Sequence, residues 1–173
     1  KLGSATALKE GTPVLAVSQG SPPEVTAARV YARRSFAGSW EYLVDEAIFT
    51  VPVHGNFGGA ALLAEDGSLV GVGSLYINVA EPAAMVPGNM FVPIDLLKPI
   101  LGALVAKGNS GKPSRPWLGI RLKDSLGKVV VTGTVDNSPG KRAGLGEGDI
   151  VVGVNKQRVT TMVEFFRKVW AIG

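Results

Sequence analysis

The run Val53-His54-Gly55-Asn56-Phe57-Gly58-Gly59-Ala60-Ala61-Leu62-Leu63 is the stretch of this sequence where residue type and spacing speak most directly to chemistry. Glycine lacks the Cβ that would crowd a close approach, so a cluster of glycines lets successive backbone N–H groups converge on one point, as stabilisation of an oxyanion requires. The same cluster also reads as a plain glycine turn between two strands, and residue type alone leaves both readings open. Phe57, in the middle of the run, has no proton to lose and no lone pair to attack with, so covalent acyl transfer through that position is excluded.

With the turn Glu65-Asp66-Gly67-Ser68 and the run Leu69-Val70-Gly71-Val72 behind it, the stretch resembles the active-site segment of HtrA/DegP-type trypsin-like serine proteases, G-N-S-G-G-P/A-L-L, with phenylalanine in the place of serine. Leu2-Gly3-Ser4 with Leu8 and Gly11, and Phe91-Val92-Pro93-Ile94, extend the similarity over residues 1 to about 106. The resemblance implies oxyanion-hole-like donors at the amides of Gly55 and Phe57. It also implies that the general base lies far upstream, in another barrel, which makes the single histidine, His54, a loop residue. Where the family carries Q-T-D this chain has Ala47, Ile48 and Phe49, so the specificity pocket is expected to differ as well.

A second constellation begins at Trp117-Leu118-Gly119-Ile120. It continues through Ser138-Pro139-Gly140-Lys141-Arg142-Ala143-Gly144-Leu145 and Gly148-Asp149-Ile150-Val151-Val152-Gly153-Val154-Asn155. This pattern resembles a bacterial PDZ domain. Such domains add an extended peptide beside one of their strands and capture its terminal carboxylate on backbone N–H groups. The resemblance assigns peptide binding to Trp117, Leu118, Gly119 and Ile120. On the opposite wall it assigns Met162, Phe166 and Val169, with core packing as the other reading of those three. Gly148-Asp149 is expected to be a structural turn.

The elements that must position these groups are short. Pro13–Val17, Leu69–Gly73, Trp117–Ile120, Val129–Val135 and Ile150–Val154 read as strands punctuated by glycine and proline. Ile94 to Ala106 repeats apolar residues at helical spacing and reads as one helix despite Pro99. Thr160 or Thr161 is placed to cap a closing helix, Met162 to Ala171. That helix is apolar on more than one stripe, so either covering strands lie beyond the sequence or part of it lines a groove. The expected architecture is mainly β: a trypsin-like second β-barrel with a C-terminal helix over residues 1–107, a linker over 108–114, and a PDZ-like αβ module over 115–173, incomplete at its C-terminus.

Composition narrows the function classes. The chain has 173 residues, 46% of them hydrophobic and 18% charged, enough for one good core or two small ones. A net charge of +4 is dispersed without interleaved aromatics, which speaks against nucleic acid as a partner. The lack of cysteine removes disulfides and thiolate metal sites, and no cofactor or metal is expected. No apolar run reaches the ~18 residues a membrane helix needs. The expectation is an HtrA-like homologue lacking protease activity, binding peptides or unfolded proteins through their C-termini, in the bacterial cell envelope and periplasm by resemblance. Homo-oligomerisation would run through segments outside this sequence, which is expected to be truncated at both ends. The alternative is an active HtrA-type endopeptidase of protein quality control using Ser68 or Ser74, neither of which lies in a G-x-S-G context.

Overall fold

The computed structural model describes residues 1–81 and 84–173. It divides into two compact units, residues 1–34 with 46–111, and residues 35–45 with 112–173. The change of unit at 111/112 falls inside the expected linker. Residues 35–45, expected in the barrel, pack instead with the second unit.

The first unit is built on a closed antiparallel barrel in the order β1-β2-β3-β6-β5-β4. Its strands are β1 (Pro13–Ser18), β2 (Glu24–Gly38), β3 (Tyr42–Val51), β4 (Ala61–Leu63), β5 (Leu69–Glu81) and β6 (Ala84–Pro93). Strand side chains alternate between faces, and burial follows that period even where the sequence is apolar throughout: Val14 and Ala16 of β1 and Ala28 and Val30 of β2 are buried, whereas Leu15 is exposed. These residues join Ile48, Ala60, Leu62, Val70 and Phe91 in one apolar core. The N-terminal segment is tied down by Gly3 N–H donating to the Leu69 carbonyl (2.8 Å) and by the Asp95 carboxylate accepting from Ala5 N–H (2.7 Å) and the Ser4 hydroxyl (2.8 Å).

The single helix expected over Ile94 to Ala106 is broken. A 3-10 turn covers Ile94–Leu96 and the α-helix α1 starts only at Leu101, running to Lys107. Pro99 accounts for the gap, because it supplies no N–H and disfavours the helical region for Lys98 before it.

In the second unit, β7 (Ile120–Ser125), β8 (Lys128–Thr134) and β9 (Ile150–Val151) form a three-stranded sheet, and β10 (Gly153–Val154) with β11 (Gln157–Arg158) a small ribbon. The expected strand Ile150–Val154 is thus two pieces, and of Trp117–Ile120 only Ile120 is strand. A short helix α2 (Pro139–Arg142) follows Ser138, whose hydroxyl accepts from Lys141 N–H (3.2 Å) while Pro139 opens the first turn.

The closing helix α3 runs Met162–Trp170, within a residue of expectation, and Thr161 is its cap, accepting from Glu164 N–H at 3.2 Å. Glu164 reaches back to the N–H and hydroxyl of Thr160, so one donor of the first turn and one just ahead of the cap are satisfied by neighbouring side chains, a variant of the capping box. Those hydrogen bonds, the Thr160 N–H first, hold its carboxyl below the usual range. Met162, Phe165, Phe166 and Val169 are buried with Ile120, Leu122, Val129, Val131 and Val159 in the core of this unit.

Candidate functional site

In the first unit the glycine run forms the loop between β3 and β4. Its backbone is held by turn bonds: Ala60 N–H donates to the Phe57 carbonyl (3.0 Å), Gly59 N–H to the Gly73 carbonyl (2.9 Å) and Gly73 N–H to the Ala60 carbonyl (2.8 Å). Gly73 is required by this packing, since a Cβ there would lie 1.9 Å from the Phe57 carbonyl oxygen. Gly59 takes a φ of 77°, a region open to glycine at no steric cost. Phe57 itself is half-buried.

His54 lies in the same loop and is wholly buried. Its Nδ1 is 2.8 Å from the Thr26 hydroxyl, its N–H donates to Asn89 Oδ1 (2.7 Å), and Nε2 is enclosed without a hydrogen-bond partner. Glu24 stands nearby, 3.8 Å from Nδ1, and accepts from the Asn56 amide at 2.5 Å. Ala47, Ile48 and Phe49, at the place of the family's Q-T-D, are buried in β3, with the Arg34 guanidinium 4.4 Å over the Phe49 ring. Of the alternative nucleophiles, Ser68 is buried at the end of the turn before β5, where its backbone N–H donates to Asp66 Oδ1 (3.0 Å). Ser74 sits at an irregularity of the β5–β6 pairing. The Nδ1 of His54 faces the Thr26 hydroxyl.

In the second unit the loop Trp117-Leu118-Gly119 leading into Ile120 is shaped from two sides. The Leu118 carbonyl accepts from Gly140 N–H (2.8 Å) and the Gly119 carbonyl from Val135 N–H (2.8 Å). Gly119 has φ 67°, and a Cβ on it would lie 2.2 Å from the Ser138 Cβ, so only glycine fits. Gly140 is equally constrained, its would-be Cβ falling 2.5 Å from a methyl of Ile120. Gly140 of the Ser-Pro-Gly motif and Val135 therefore have a mechanical role: between them they clamp the two carbonyls of the loop, while its amides engage a different partner.

Those amides converge on a carboxylate. Leu118, Gly119 and Ile120 donate to Glu41 Oε1 at 3.2, 2.5 and 3.1 Å, and Leu118 also approaches Oε2 at 3.1 Å. Consecutive N–H groups aimed at one point form a backbone nest that binds anions. On α3, Phe166 is 1% exposed and Met162 and Val169 are buried, so these three stand in the core cluster, with Ala37 and Leu43 packed against that same cluster. Trp117 is exposed. Gly148 N–H donates to the Val131 carbonyl and the Asp149 carboxylate accepts from Gly146 N–H, which makes Gly148-Asp149 a turn built by hydrogen bonds. The residue the sequence reading missed is Glu41, because nothing local marks a glutamate whose partners are 77 to 79 residues away. No cluster suited to a metal ion occurs among the described residues.

A barrel of six strands preceding a module with a carboxylate-binding amide loop defines the class: a mainly β protein with a trypsin-like barrel unit and a PDZ domain. Residues 116–172 match the PDZ domain family. The chain is related to HtrA-type proteases. It is 29% identical over 106 residues to serine endoprotease DegS of Haemophilus influenzae, covering 60% of this chain and 30% of that protein. To the Rhizobium meliloti protein named "Probable periplasmic serine endoprotease DegP-like" it is 28% identical over 165 residues, covering 86% and 31%. The chain thus spans about a third of the length of these curated relatives. Among solved structures, the HtrA-type protease AlgW with decapeptide superposes with a TM-score of 0.57 at 21% identity, over 98% of this chain and 55% of that one. The same protease with tripeptide gives 0.56 at 20%, over 98% and 60%.

Proposed function

We propose that this chain is an HtrA-like homologue without proteolytic chemistry at Phe57, whose PDZ module binds the C-termini of peptides or unfolded proteins. The observation that carries the binding half is the convergence of three successive amides, Leu118, Gly119 and Ile120, on a single carboxylate. A terminal carboxylate presents the same charge and the same acceptor atoms to such a nest. The binding wall reading gives Met162, Phe166 and Val169 the apolar side of the groove and Trp117 its rim.

The case against catalysis rests on side-chain chemistry. A phenyl ring cannot be acylated, the only histidine of the chain is bonded through Nδ1 to Thr26, and the buried Ser68 turns both its hydroxyl and its amide to Asp66. The amides of Gly55 and Phe57 remain as oxyanion-hole-like groups in this reading, an anion-binding turn without a nucleophile. By relationship to HtrA-type proteins, one of which is named as periplasmic, the proposed location is the bacterial cell envelope.

Incubation of the chain with unfolded casein, beside labelling by a serine-directed phosphonate, tests the catalytic half. The expected result is neither turnover nor label. Turnover that disappears in Ser68→Ala or Ser74→Ala would establish an active endopeptidase and overturn the reading.

A further inference from the structure

Glu41 is the last residue of the loop Ser39-Trp40-Glu41 that joins β2 to β3. Its φ is 60°, in the left-handed region that glycine enters freely and that hairpin loops of this length usually fill with glycine. A glutamate is held there at a conformational cost, and its carboxylate is the group on which Leu118, Gly119 and Ile120 converge.

The rest of the segment is laid out as an extended peptide end would be. Ser39 precedes Glu41 by two residues, and its carbonyl accepts the amide of Leu122 at 3.1 Å. Leu122 in turn follows Ile120 by two, so this one main-chain bond lies a strand period of two residues from the carboxylate contact at Ile120. Ala37 and Leu43 pack onto the cluster that contains Met162, Phe166 and Val169. The α3 residue Arg167 donates to the Ser35 hydroxyl at 3.1 Å and is paired with Asp45. A carboxylate in the amide nest, a main-chain bond to the adjoining strand and apolar side chains on the helix wall are the three means by which such modules hold C-terminal peptides.

We propose that residues 35–45 are a built-in ligand of the PDZ groove: the Glu41 carboxylate holds the place of a peptide's terminal carboxylate, and an incoming peptide end binds by displacing it. The competition rests on the peptide reading of the same groove given above. Its consequence is quantitative, since the apparent affinity for any external peptide is reduced by the fraction of molecules whose groove stands open.

Two measurements on the 173-residue chain test this, amide hydrogen exchange and binding of a fluorescein-labelled peptide with a free C-terminal carboxylate, each on the natural sequence, Glu41→Gln and Glu41→Gly. Glu41→Gly suits the φ of 60° and keeps the hairpin foldable. The expected result is exchange at Leu118, Gly119, Ile120 and Leu122 at least about tenfold faster in Glu41→Gly, with peptide affinity rising about tenfold in both variants. Exchange at these amides that is already fast in the natural chain, or is unchanged by Glu41→Gly, overturns the built-in ligand. Exchange that responds as expected while no variant binds peptide establishes the internal contact and overturns the competition together with the peptide reading. Peptide binding of equal strength in all three chains overturns the competition alone.

Discussion

Two glycine-containing loops of this molecule look alike in sequence and differ in what their backbones do. In Gly55–Gly59 the glycines serve a turn: amides of Gly59 and Ala60 close onto carbonyls of Gly73 and Phe57, and Gly73 is demanded by the Phe57 carbonyl pressed against it. In Trp117–Ile120 the carbonyls of Leu118 and Gly119 are engaged from outside the loop, by Gly140 and Val135, and three amides are left to share one carboxylate. Glycine permits an anion nest, but the outside clamp on the carbonyls is what makes one. That difference gives the second loop the stronger claim to function.

The sharpest way to break the comparison is Gly119→Ala. It places a Cβ 2.2 Å from Ser138 on a backbone with φ 67°, and is expected to cost about 3 kcal/mol of stability and to abolish peptide binding. Urea denaturation with a parallel binding titration checks both. Removing the cap of the helix that walls the groove, Thr161→Ala, is expected to lower stability by about 1 kcal/mol, read by the same denaturation. At the turn after β4, hydrogen bonds from the Ser68 side chain and amide, and then Lys1, lower the Asp66 pKa to about 2. A carboxyl with a depressed folded-state pKa contributes stability above its unfolded value near 4, lost as pH falls through about 2. The group is fully exposed, so the expected change is a small loss of stability between pH 4 and 2 that Asp66→Asn removes. Smallest of all is Gly58→Ala in the first loop, where an added Cβ meets nothing within 4 Å and φ is not in the left-handed region. A change within about 0.5 kcal/mol is expected, and a large one would show that this loop is as constrained as the other.

Much of this was legible in residue order. The short apolar run Pro13–Val17 between turn residues predicts β1, the apolar spacing from Met162 with Thr161 before it predicts α3, and the Ser138-Pro139-Gly140 run marks the PDZ module; all three are local signals. Pro99 was visible too, but whether it bends or breaks a helix depends on the tertiary setting, and here the break won. The long strands β2 and β3 and the packing of residues 35–45 with the second unit were not legible. Their partners are distant in sequence, and a Ser-Trp-Glu loop carries no mark of a remote amide nest. For the same reason Met162, Phe166 and Val169 could be placed on α3 from their spacing, while the apolar side chains of Ala37 and Leu43 that meet their cluster could not.

The central claim is that the amide loop of the second unit receives a terminal carboxylate, and it can be tested by competition between two forms of one peptide. Fluorescence anisotropy of a labelled peptide, with its C-terminus free or amidated, is measured against the chain under identical conditions. The account predicts at least tenfold tighter binding of the free carboxylate, the equivalent of one charge-assisted hydrogen bond of about 1.4 kcal/mol or more. Equal affinity for the two forms, or binding of neither, would contradict it.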